Sequence, residues 1–390
     1  MGQVPLELAT CIEPVYKYKK FDLVFKIVTP SRTYYINCAS EDDMKDWINT
    51  LREVSQKVNI SIDKTHEKET NLNDFEILSL IGKGAYGKIF LVRMKETQEL
   101  FAMKVIPKKQ VIEEDSVEQT LAEKNILSRV RMPFLVNLYY SFQTPSNLHY
   151  VIDYCSGGSL YSYMQKEKVL TEEQAKFYAA QMVLALEHLH GQNIIYRDVK
   201  PENISICSDG YIRLTDFGLS KENIAEDSTT STFCGTPEYL APELIQSLPY
   251  TNNIDWWGLG VLIYEMINGN VPFFNDNIQK LYHKILYDPI PFPEKCTYSD
   301  ECKDIIENLL QKLPENRLSD PRTIKQHAWF SSINFDSLFK KELEPSYIPD
   351  LESPTDLKYF DSTITSEKLD MDGEAVETSA FGEFTYSVDK

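Results

Sequence analysis

The sequence predicts a two-lobed α+β fold in which a strand-rich lobe precedes a helix-rich lobe, behind a short segment of strands and one helix. Between residues 75 and 153, runs with the hydrophobic alternation of strands dominate and enclose one amphipathic helix. After Gly157 and Gly158 the apolar residues recur at helical spacing instead. The 390 residues also exceed what one core usually serves, so more than one domain is expected.

The composition is that of a globular protein, with 42% hydrophobic and 25% charged residues. No apolar run approaches the ~20 residues that cross a bilayer. The seven cysteines are scattered without a C-x-x-C pair, which disfavours a disulfide framework and a zinc site and favours a cytoplasmic protein. The net charge of -19 argues against nucleic-acid binding and favours basic partners.

The first segment contains two strand-like runs, 21–28 and 32–38, separated by the turn residues 29–31. A helix is predicted to begin at Ser40, because Asp43 three residues later completes a plausible capping box. Apolar residues then follow at helical spacing: Met44, Trp47, Ile48, Leu51 and Val54.

Changes in composition divide the chain into four parts. Polar residues around 59–74 predict a linker, and the last sixty residues carry five Lys/Arg against fourteen Asp/Glu, typical of a solvated acidic tail. We therefore expect a first segment, a linker, a two-lobed domain and a tail, with these bounds: 1–58, 59–74, 75–330 and 331–390.

A glycine-rich run at 82–87 lies between two predicted strands, where glycines would let backbone amides approach phosphate oxygens. In the next strand Ala102, Lys104 and Ile106 share one face, which places a small residue and an ammonium group on the same side. Glu123 on the following helix could pair with Lys104. Taken alone, these features fit an ordinary glycine-rich hairpin and a solvated lysine equally well.

A second group of motifs follows in the helix-rich half. Arg197-Asp198, Lys200 and Asn203 come directly after an apolar run, Asp216-Phe217-Gly218 follows a strand, and Ala241-Pro242-Glu243 closes the next segment. A carboxylate, a cation and an amide placed close together suit a site for an anion and a metal. The order of all these motifs argues against chance.

Together the motifs resemble the eukaryotic protein kinase family, over about 75–330. The resemblance implies transfer of the γ-phosphoryl group of Mg·ATP to serine or threonine hydroxyls of protein substrates. It implies that Asp198 orients the acceptor hydroxyl and takes its proton, that Lys200 offsets phosphoryl charge, and that Asn203 and Asp216 hold Mg²⁺.

The same resemblance implies an ATP site in which Lys104, held by Glu123, grips the α and β phosphates. Phe360, in the tail, would contact the adenine. The ATP-binding residues implied are Ile81, Gly82, Lys83, Gly84, Ala85, Tyr86, Gly87, Ile89, Ala102, Lys104, Glu123, Ile152, Asp153, Cys155 and Phe360.

Tyr196 before Arg-Asp, the segment TFCGTPEYLAPE and the tail motif around Phe381 and Phe384 resemble the AGC kinases, closest to the protein kinase B branch. The resemblance implies that both phenylalanines dock on the small lobe beside the Glu123 helix. It implies phosphosites, an upstream activating kinase and substrate contacts. The phosphosites that the resemblance implies are Thr232 and Thr385, and the substrate-binding residues that it implies are Glu202, Glu265 and Thr236.

Three residues depart from the family pattern. Ser159 replaces a glutamate of arginine-directed relatives, Ser205 replaces a leucine beneath the adenine, and Gln119 stands where a histidine often reaches the phosphothreonine. We expect a modestly lower ATP affinity from Ser205. Glu202 and Glu265 still favour basic residues before the acceptor.

Residues 1–58 resemble the last strands and closing helix of a pleckstrin-homology domain, with Trp47 as the buried aromatic of the helix. No counterpart of the early strands and basic loop precedes residue 15, so phosphoinositide binding is not expected. Two alternatives to an active kinase remain open. One is a pseudokinase scaffold that binds nucleotide without turnover, and the other is an adaptor recruited to membranes by this segment.

Overall fold

The protein is described by a computed structural model, in two compact units, Met1–Glu69 and Thr70–Lys390. The residues that the structure describes are 11–15, 23–28, 33–38, 40, 43–48, 50–51, 70–84, 87–221, 234–294, 298–371 and 373–388.

The first unit contains a three-stranded antiparallel sheet in the order β1-β2-β3 and a helix, α1, at residues 43–48 and 50–51. The strands are β1 (Cys11–Val15), β2 (Val24–Val28) and β3 (Thr33–Asn37). Phe25 and Ile27, two residues apart on β2, are buried and pack against Ile48 of α1. The Ser40 hydroxyl accepts a hydrogen bond from the Asp43 amide at 3.1 Å, as an N-cap does.

The expectation that Trp47 is the buried aromatic of this helix is wrong, because its side chain is 54% exposed. Met44, Ile48 and Leu51 form the stripe that packs against the core of this unit. Trp47 lies beside that stripe. Helical spacing predicts which side of α1 is apolar. It does not predict which apolar residues on that side the sheet covers.

The second unit begins with a small lobe built on a six-stranded antiparallel sheet in the order β11-β7-β8-β6-β5-β4. Its strands are β4 (Phe75–Gly84), β5 (Gly87–Met94), β6 (Leu100–Pro107), β7 (Leu138–Gln143), β8 (Asn147–Asp153) and β11 (Tyr386–Ser387). Two helices connect β6 to β7, namely α2 (Lys108–Glu113) and α3 (Val117–Arg129). The predicted strand-rich lobe is confirmed, and α2 is an addition that the sequence pattern did not predict.

The large lobe is mainly helical, as predicted. Helix α12 (Ser362–Thr365) lies in the tail and packs against β4 of the small lobe. The helices of the large lobe are α4 (Leu160–Glu167), α5 (Glu172–His190), α6 (Pro242–Ile245), α7 (Asn253–Asn268), α8 (Ile278–Tyr287), α9 (Asp300–Leu309), α10 (Pro321–Gln326) and α11 (Phe335–Phe339). A two-stranded antiparallel hairpin, β9 (Ile204–Ile206) and β10 (Ile212–Leu214), lies among them. Helix α5 begins at a capping box formed by Thr171 and Gln174. Helix α7 is buried on nearly all sides, as its apolar sequence predicts.

The C-terminal tail follows the surface of this unit from the large lobe to the small lobe. Tyr347 stacks on Tyr163 of α4 with ring centroids 4.2 Å apart. Further along, β11 adds to the edge strand β7, where Tyr386 pairs with Ser141. The tail therefore covers an edge of the sheet that would otherwise be open.

Candidate active site

A cleft of about 820 Å³ separates the sheet of the small lobe from the β9–β10 hairpin of the large lobe. Twelve of the predicted ATP-binding residues line it, namely Ile81, Gly82, Lys83, Gly84, Gly87, Ile89, Ala102, Lys104, Ile152, Asp153, Cys155 and Phe360. Asp216, Ser159 and Ser205 line the same cleft. Ala85 and Tyr86 lie outside the described residues.

Gly87 is required by the geometry of the glycine-rich turn. Its φ of +143° is a conformation that other residues rarely adopt, and a Cβ atom there would collide with the carbonyl oxygen of Val105. Gly84 and Gly87 face each other across the end of the β4–β5 pair. Both glycines line the cleft, and a Cβ atom at Gly84 would meet no other atom within 4 Å.

Lys104 joins three elements at the back of the cleft. The register of β6 places it between Ile89 of β5 and Tyr150 of β8. Its ammonium group lies 2.7 Å from the Glu123 carboxylate of α3 and 3.7 Å from that of Asp216. Burial opposes the charge on Lys104, but the two carboxylates outweigh it and hold the pKa of Lys104 above its usual value. Glu123 itself lies behind Lys104 and does not line the cleft.

The hairpin of β9 and β10 brings Asn203 and Asp216 together. Asn203 directly precedes β9, and its carbonyl oxygen accepts hydrogen bonds from both the amide (2.9 Å) and the hydroxyl (3.0 Å) of Thr215. Asp216 is the next residue. Its carboxylate accepts the amide of Gly218 at 3.0 Å. The charge of Lys104 lowers the pKa of Asp216, with the Gly218 amide acting in the same direction, so this carboxylate is ionised at neutral pH.

These two side chains fit a hard divalent cation that arrives with a nucleotide. Both supply oxygen, the ligand atom that Mg²⁺ prefers, and the amide nitrogen of Asn203 is already used in a hydrogen bond to Asp198. Among the described residues, no group of three or more His, Cys, Asp or Glu could hold a metal ion by itself. A metal at this position would need further ligands, which phosphate oxygens provide.

Asp198 is the centre of a polar network beside the cleft. Its carboxylate lies 2.9 Å from the Lys200 ammonium and accepts the Asn203 amide at 2.7 Å. Lys200 also donates to the Thr236 hydroxyl at 3.0 Å, and that hydroxyl lies 3.4 Å from Asp198. The structure thus brings together the three predicted catalytic residues and one predicted substrate contact. The Asp198 side chain is held in a fixed position.

Asp255 holds the backbone at Tyr196 and Arg197, just before Asp198. It was not among the residues predicted from the sequence. It is a buried carboxylate on α7 that accepts the backbone amides of Tyr196 (2.9 Å) and Arg197 (2.7 Å) and contacts His190 at 2.7 Å. Arg197 has a φ of 70°, an uncommon conformation that these hydrogen bonds stabilise. The sequence signal available was a carboxylate directly before the longest apolar run of α7.

A second groove of about 820 Å³ adjoins the cleft and is acidic. It is lined by Glu202, Glu238 and Glu265 together with Thr236 and Tyr239. Tyr239 donates a hydrogen bond to Glu265. Burial raises the pKa of Glu265, and the neighbouring Glu202 and Glu238 raise it further. The predicted substrate-binding residues therefore share one groove. Its three carboxylates outnumber its one lysine, Lys284, whose ammonium group donates to the carbonyl of Phe274 at 3.1 Å.

Both tail phenylalanines are fully buried in the small lobe. Phe384 meets Tyr150 edge to face, with ring centroids 4.9 Å apart, and the Tyr150 hydroxyl donates to the carbonyl of Thr120 on α3 at 3.0 Å. Gln143 donates to the carbonyl of Phe381 at 2.9 Å. Thr385, which directly follows Phe384, is exposed.

Other predicted residues occupy varied surroundings. Phe360 stacks near Tyr154 at 6.0 Å on the cleft wall. The side chain of Gln119 donates to the carbonyl of Gly218, which links α3 to the turn after Asp216. Thr232 lies outside the described residues.

Comparisons with known proteins agree with this geometry. The family model "Protein kinase domain" matches residues 75–330, and "PH domain" matches residues 1–56. The RAC family serine/threonine-protein kinase homolog of Dictyostelium discoideum is 43% identical over 93% of this chain and 83% of its own length. Human RAC-beta serine/threonine-protein kinase is 43% identical over 81% of this chain and 66% of its own length. Rat serine/threonine-protein kinase Sgk2 is 42% identical over 85% of this chain and 93% of its own length.

Proposed function

Because the chain belongs to the protein kinase family, as a serine/threonine kinase of the AGC type, we propose that it transfers the γ-phosphoryl group of Mg·ATP to serine and threonine hydroxyls of proteins. The observation that supports this best is the contact of Lys104 with both Glu123 and Asp216 at the back of the cleft. A cation, its buried partner and a second carboxylate, ionised and available to a metal, are in contact there. A scaffold without turnover has no need to keep all three.

The catalytic steps follow from the positions of the side chains. Backbone amides of the glycine-rich turn and the Lys104 ammonium bind the phosphates. Asp198 accepts a hydrogen bond from the acceptor hydroxyl and takes its proton, while Lys200 places positive charge beside the transferred group. The transition state of phosphoryl transfer is loose, with little bonding to the transferred group. Positioning of the acceptor hydroxyl therefore contributes more to the rate than the basicity of Asp198 does. Asp216 and Asn203 would hold Mg²⁺, which when bound neutralises phosphate charge.

The acidic groove supports a preference for basic residues near the acceptor. Glu202, Glu238 and Glu265 are crowded, and a lysine or arginine of a peptide would relieve the repulsion among them. Ser159, which lines the nucleotide cleft, supplies no carboxylate to this recognition. We therefore propose basic selectivity that depends on the groove rather than on position 159. A peptide-library profile of wild type and Glu265→Gln tests it, since loss of the basic preference is expected only in the variant.

Regulation by phosphorylation is part of the proposal. An upstream kinase would phosphorylate Thr232, where the added charge would pair with Arg197, and Thr385, next to the docked Phe384. Arg197 already contacts the carbonyl of Leu219 and the hydroxyl of Tyr250 through two of its nitrogens. We also propose that the chain divides into a first segment, a linker, a kinase domain and a tail, with the bounds 1–58, 59–74, 75–330 and 331–390.

Recruitment to a membrane surface is a second candidate, favoured by the PH-domain match at residues 1–56. Within the described residues, no helix is long and apolar enough to span a bilayer. Recruitment would therefore use headgroup contacts made by the first unit. Sedimentation with vesicles that contain phosphoinositide, compared with vesicles of phosphatidylcholine alone, tests this candidate. Equal pelleting with both would argue against it.

The main proposal is tested by transfer of labelled phosphate from ATP to a basic serine/threonine peptide. Asp198→Ala should lose turnover by about 10²-fold or more, and it should retain nucleotide binding because Asp198 does not line the cleft. Asp209→Ala removes an exposed carboxylate of the same lobe and should behave as wild type. Wild-type protein that binds ATP without transferring phosphate would instead support the pseudokinase alternative.

A further inference from the structure

Two cysteines meet at the wall of the nucleotide cleft. The sulfur atoms of Cys155 and Cys207 are 3.3 Å apart and joined by a hydrogen bond. The side chains are 8% and 9% exposed, respectively, and Cys155 lines the cleft. In the sequence these two cysteines are 52 positions apart, so only the fold brings them together.

The two backbones are held close by hydrogen bonds near the cysteines. The amide of Gly157 donates to Ile206 at 2.9 Å, and the amide of Ile206 donates to Gly158 at 2.8 Å. Cys155 lies in the segment that connects the two lobes, and Cys207 directly follows β9 of the large lobe. To reach the ~2.05 Å of a disulfide, the two sulfur atoms must approach each other by about 1.2 Å.

The surroundings make Cys207 the more acidic thiol of the pair, because the pKa of Cys207 is lowered and that of Cys155 is raised. The Cys155 thiol, as a hydrogen-bond donor, and the Arg213 guanidinium both lower the pKa of Cys207. Arg213 is itself anchored at 2.8 Å by Asp153. A thiol with a lowered pKa next to a second thiol that can resolve it is the arrangement that redox-sensing cysteines use.

We propose that Cys155 and Cys207 form a reversible redox site that responds to peroxide. The Cys207 thiolate attacks a peroxide oxygen, which breaks the O–O bond, releases water after protonation and leaves a sulfenic acid. The Cys155 sulfur then attacks the Cys207 sulfur, and the sulfenic oxygen leaves as a second water. In total the two thiols lose two electrons and two protons, and the peroxide is reduced. A dithiol reductant reverses the reaction.

The consequence for the cleft rests on the proposed function. Since Cys155 forms part of the cleft wall, drawing its sulfur towards β9 changes the surface that a nucleotide base contacts. Nucleotide affinity and disulfide formation are then linked in both directions. Bound Mg·ATP should slow the oxidation, and the oxidised protein should bind ATP with an affinity changed by about fivefold or more.

Peptide mapping of the full chain tests the site without any use of activity. After treatment with hydrogen peroxide and blocking of free thiols, trypsin should release one cross-linked pair, because each cysteine lies in a tryptic peptide with no other cysteine. Dithiothreitol should abolish the pair. Cys207→Ala should lose it and retain ATP affinity under peroxide, and the control Cys38→Ala should form it as wild type does.

Several outcomes would overturn the proposal. One is oxidation of Cys155 or Cys207 to sulfinic acid without the cross-linked peptide. Another is a cross-link that forms at the same rate with saturating Mg·ATP in protein shown by fluorescence to bind it. If the protein bound no nucleotide, the mapping result would still decide the redox site, so the failure of the proposed function would be seen separately.

Discussion

The ammonium group of Lys104 lies 2.7 Å from the carboxylate of Glu123 and joins the sheet to α3. Lys104→Met leaves Glu123 buried without its partner and removes the cation that we propose to bind phosphate. We expect kcat/KM for ATP to fall about 100-fold or more. Lys109→Met, which removes an exposed lysine paired with Glu374, is the matched control. A steady-state assay over ATP concentration checks this, and comparable losses in both variants would contradict it.

Docking of Phe384 should stabilise α3 in its position against the sheet. Phe384 contacts Tyr150, and the Tyr150 hydroxyl donates a hydrogen bond to the Thr120 carbonyl of that helix. Phe384→Ala should destabilise the docked tail by about 3 kcal/mol. Hydrogen exchange should then rise in β11 and α3, and activity should fall. Glu383→Ala, at an exposed neighbouring position, should change neither. Unchanged exchange in α3 after loss of Phe384 would refute the coupling.

His149 should make stability depend on pH. Burial, and then the nearby charge of Lys108, lower the pKa of His149 to about 4 in the folded state, against about 6.5 in the unfolded chain. Between these values the unfolded chain binds more protons, so stability falls as pH decreases from 6.5 towards 4. The full effect is on the order of 3 kcal/mol.

Urea unfolding at pH 7 and pH 5 measures this dependence. His149→Phe keeps a ring to stack on Phe142, which lies 4.9 Å away, but cannot take up a proton. The variant should lose less stability than wild type between the two pH values. Identical losses would show that other groups account for the pH dependence.

Phosphorylation of Thr232 is predicted to order the segment beside Arg197. Thr232→Ala should lower activity at least about tenfold, because the added charge that would pair with a guanidinium is lost. Thr97→Ala, at an exposed threonine in the turn between β5 and β6, serves as the comparison. The assay needs protein that mass spectrometry shows to be phosphorylated at Thr232. Near-unchanged turnover of the alanine variant would refute this prediction.

Gly158 should control the path of the tail over the cleft. Its φ is +75°, and a Cβ atom would come within 2.6 Å of the Tyr359 carbonyl oxygen. Gly158→Ala should therefore displace the tail near Phe360 and weaken ATP binding by a few-fold. Gly191→Ala, at the end of α5, is the control, since its Cβ would lie 3.3 Å from the nearest atom. Fluorescent-nucleotide titration of both variants distinguishes a specific effect from a general one.

Local pattern was sufficient for much of the fold. Strand alternation correctly placed Ala102 and Lys104 on the face that lines the cleft, and the capping residues at Thr171 and Gln174 marked the start of α5. The order of the motifs was enough to identify the family. These features depend on neighbours within a few positions, which the sequence records directly.

Helix α2 and the exposure of Trp47 show where local pattern fails. Helix α2 spans only six residues, too few for a periodic signal. Trp47 fits the helical spacing of its neighbours, but the sheet of the first unit covers the adjacent position, Ile48. Which apolar residue is buried depends on the element that packs against it.

By itself the sequence determined the lobes, the order of the motifs and the chemical groups available at the site. Only the tertiary structure decided that Asp255 holds the amide of Arg197, that Phe384 reaches Tyr150, and that Cys155 meets Cys207. Each pair is separated by more than fifty positions. Such contacts form when distant elements pack to bury apolar surface, and local propensity contains no information about their partners.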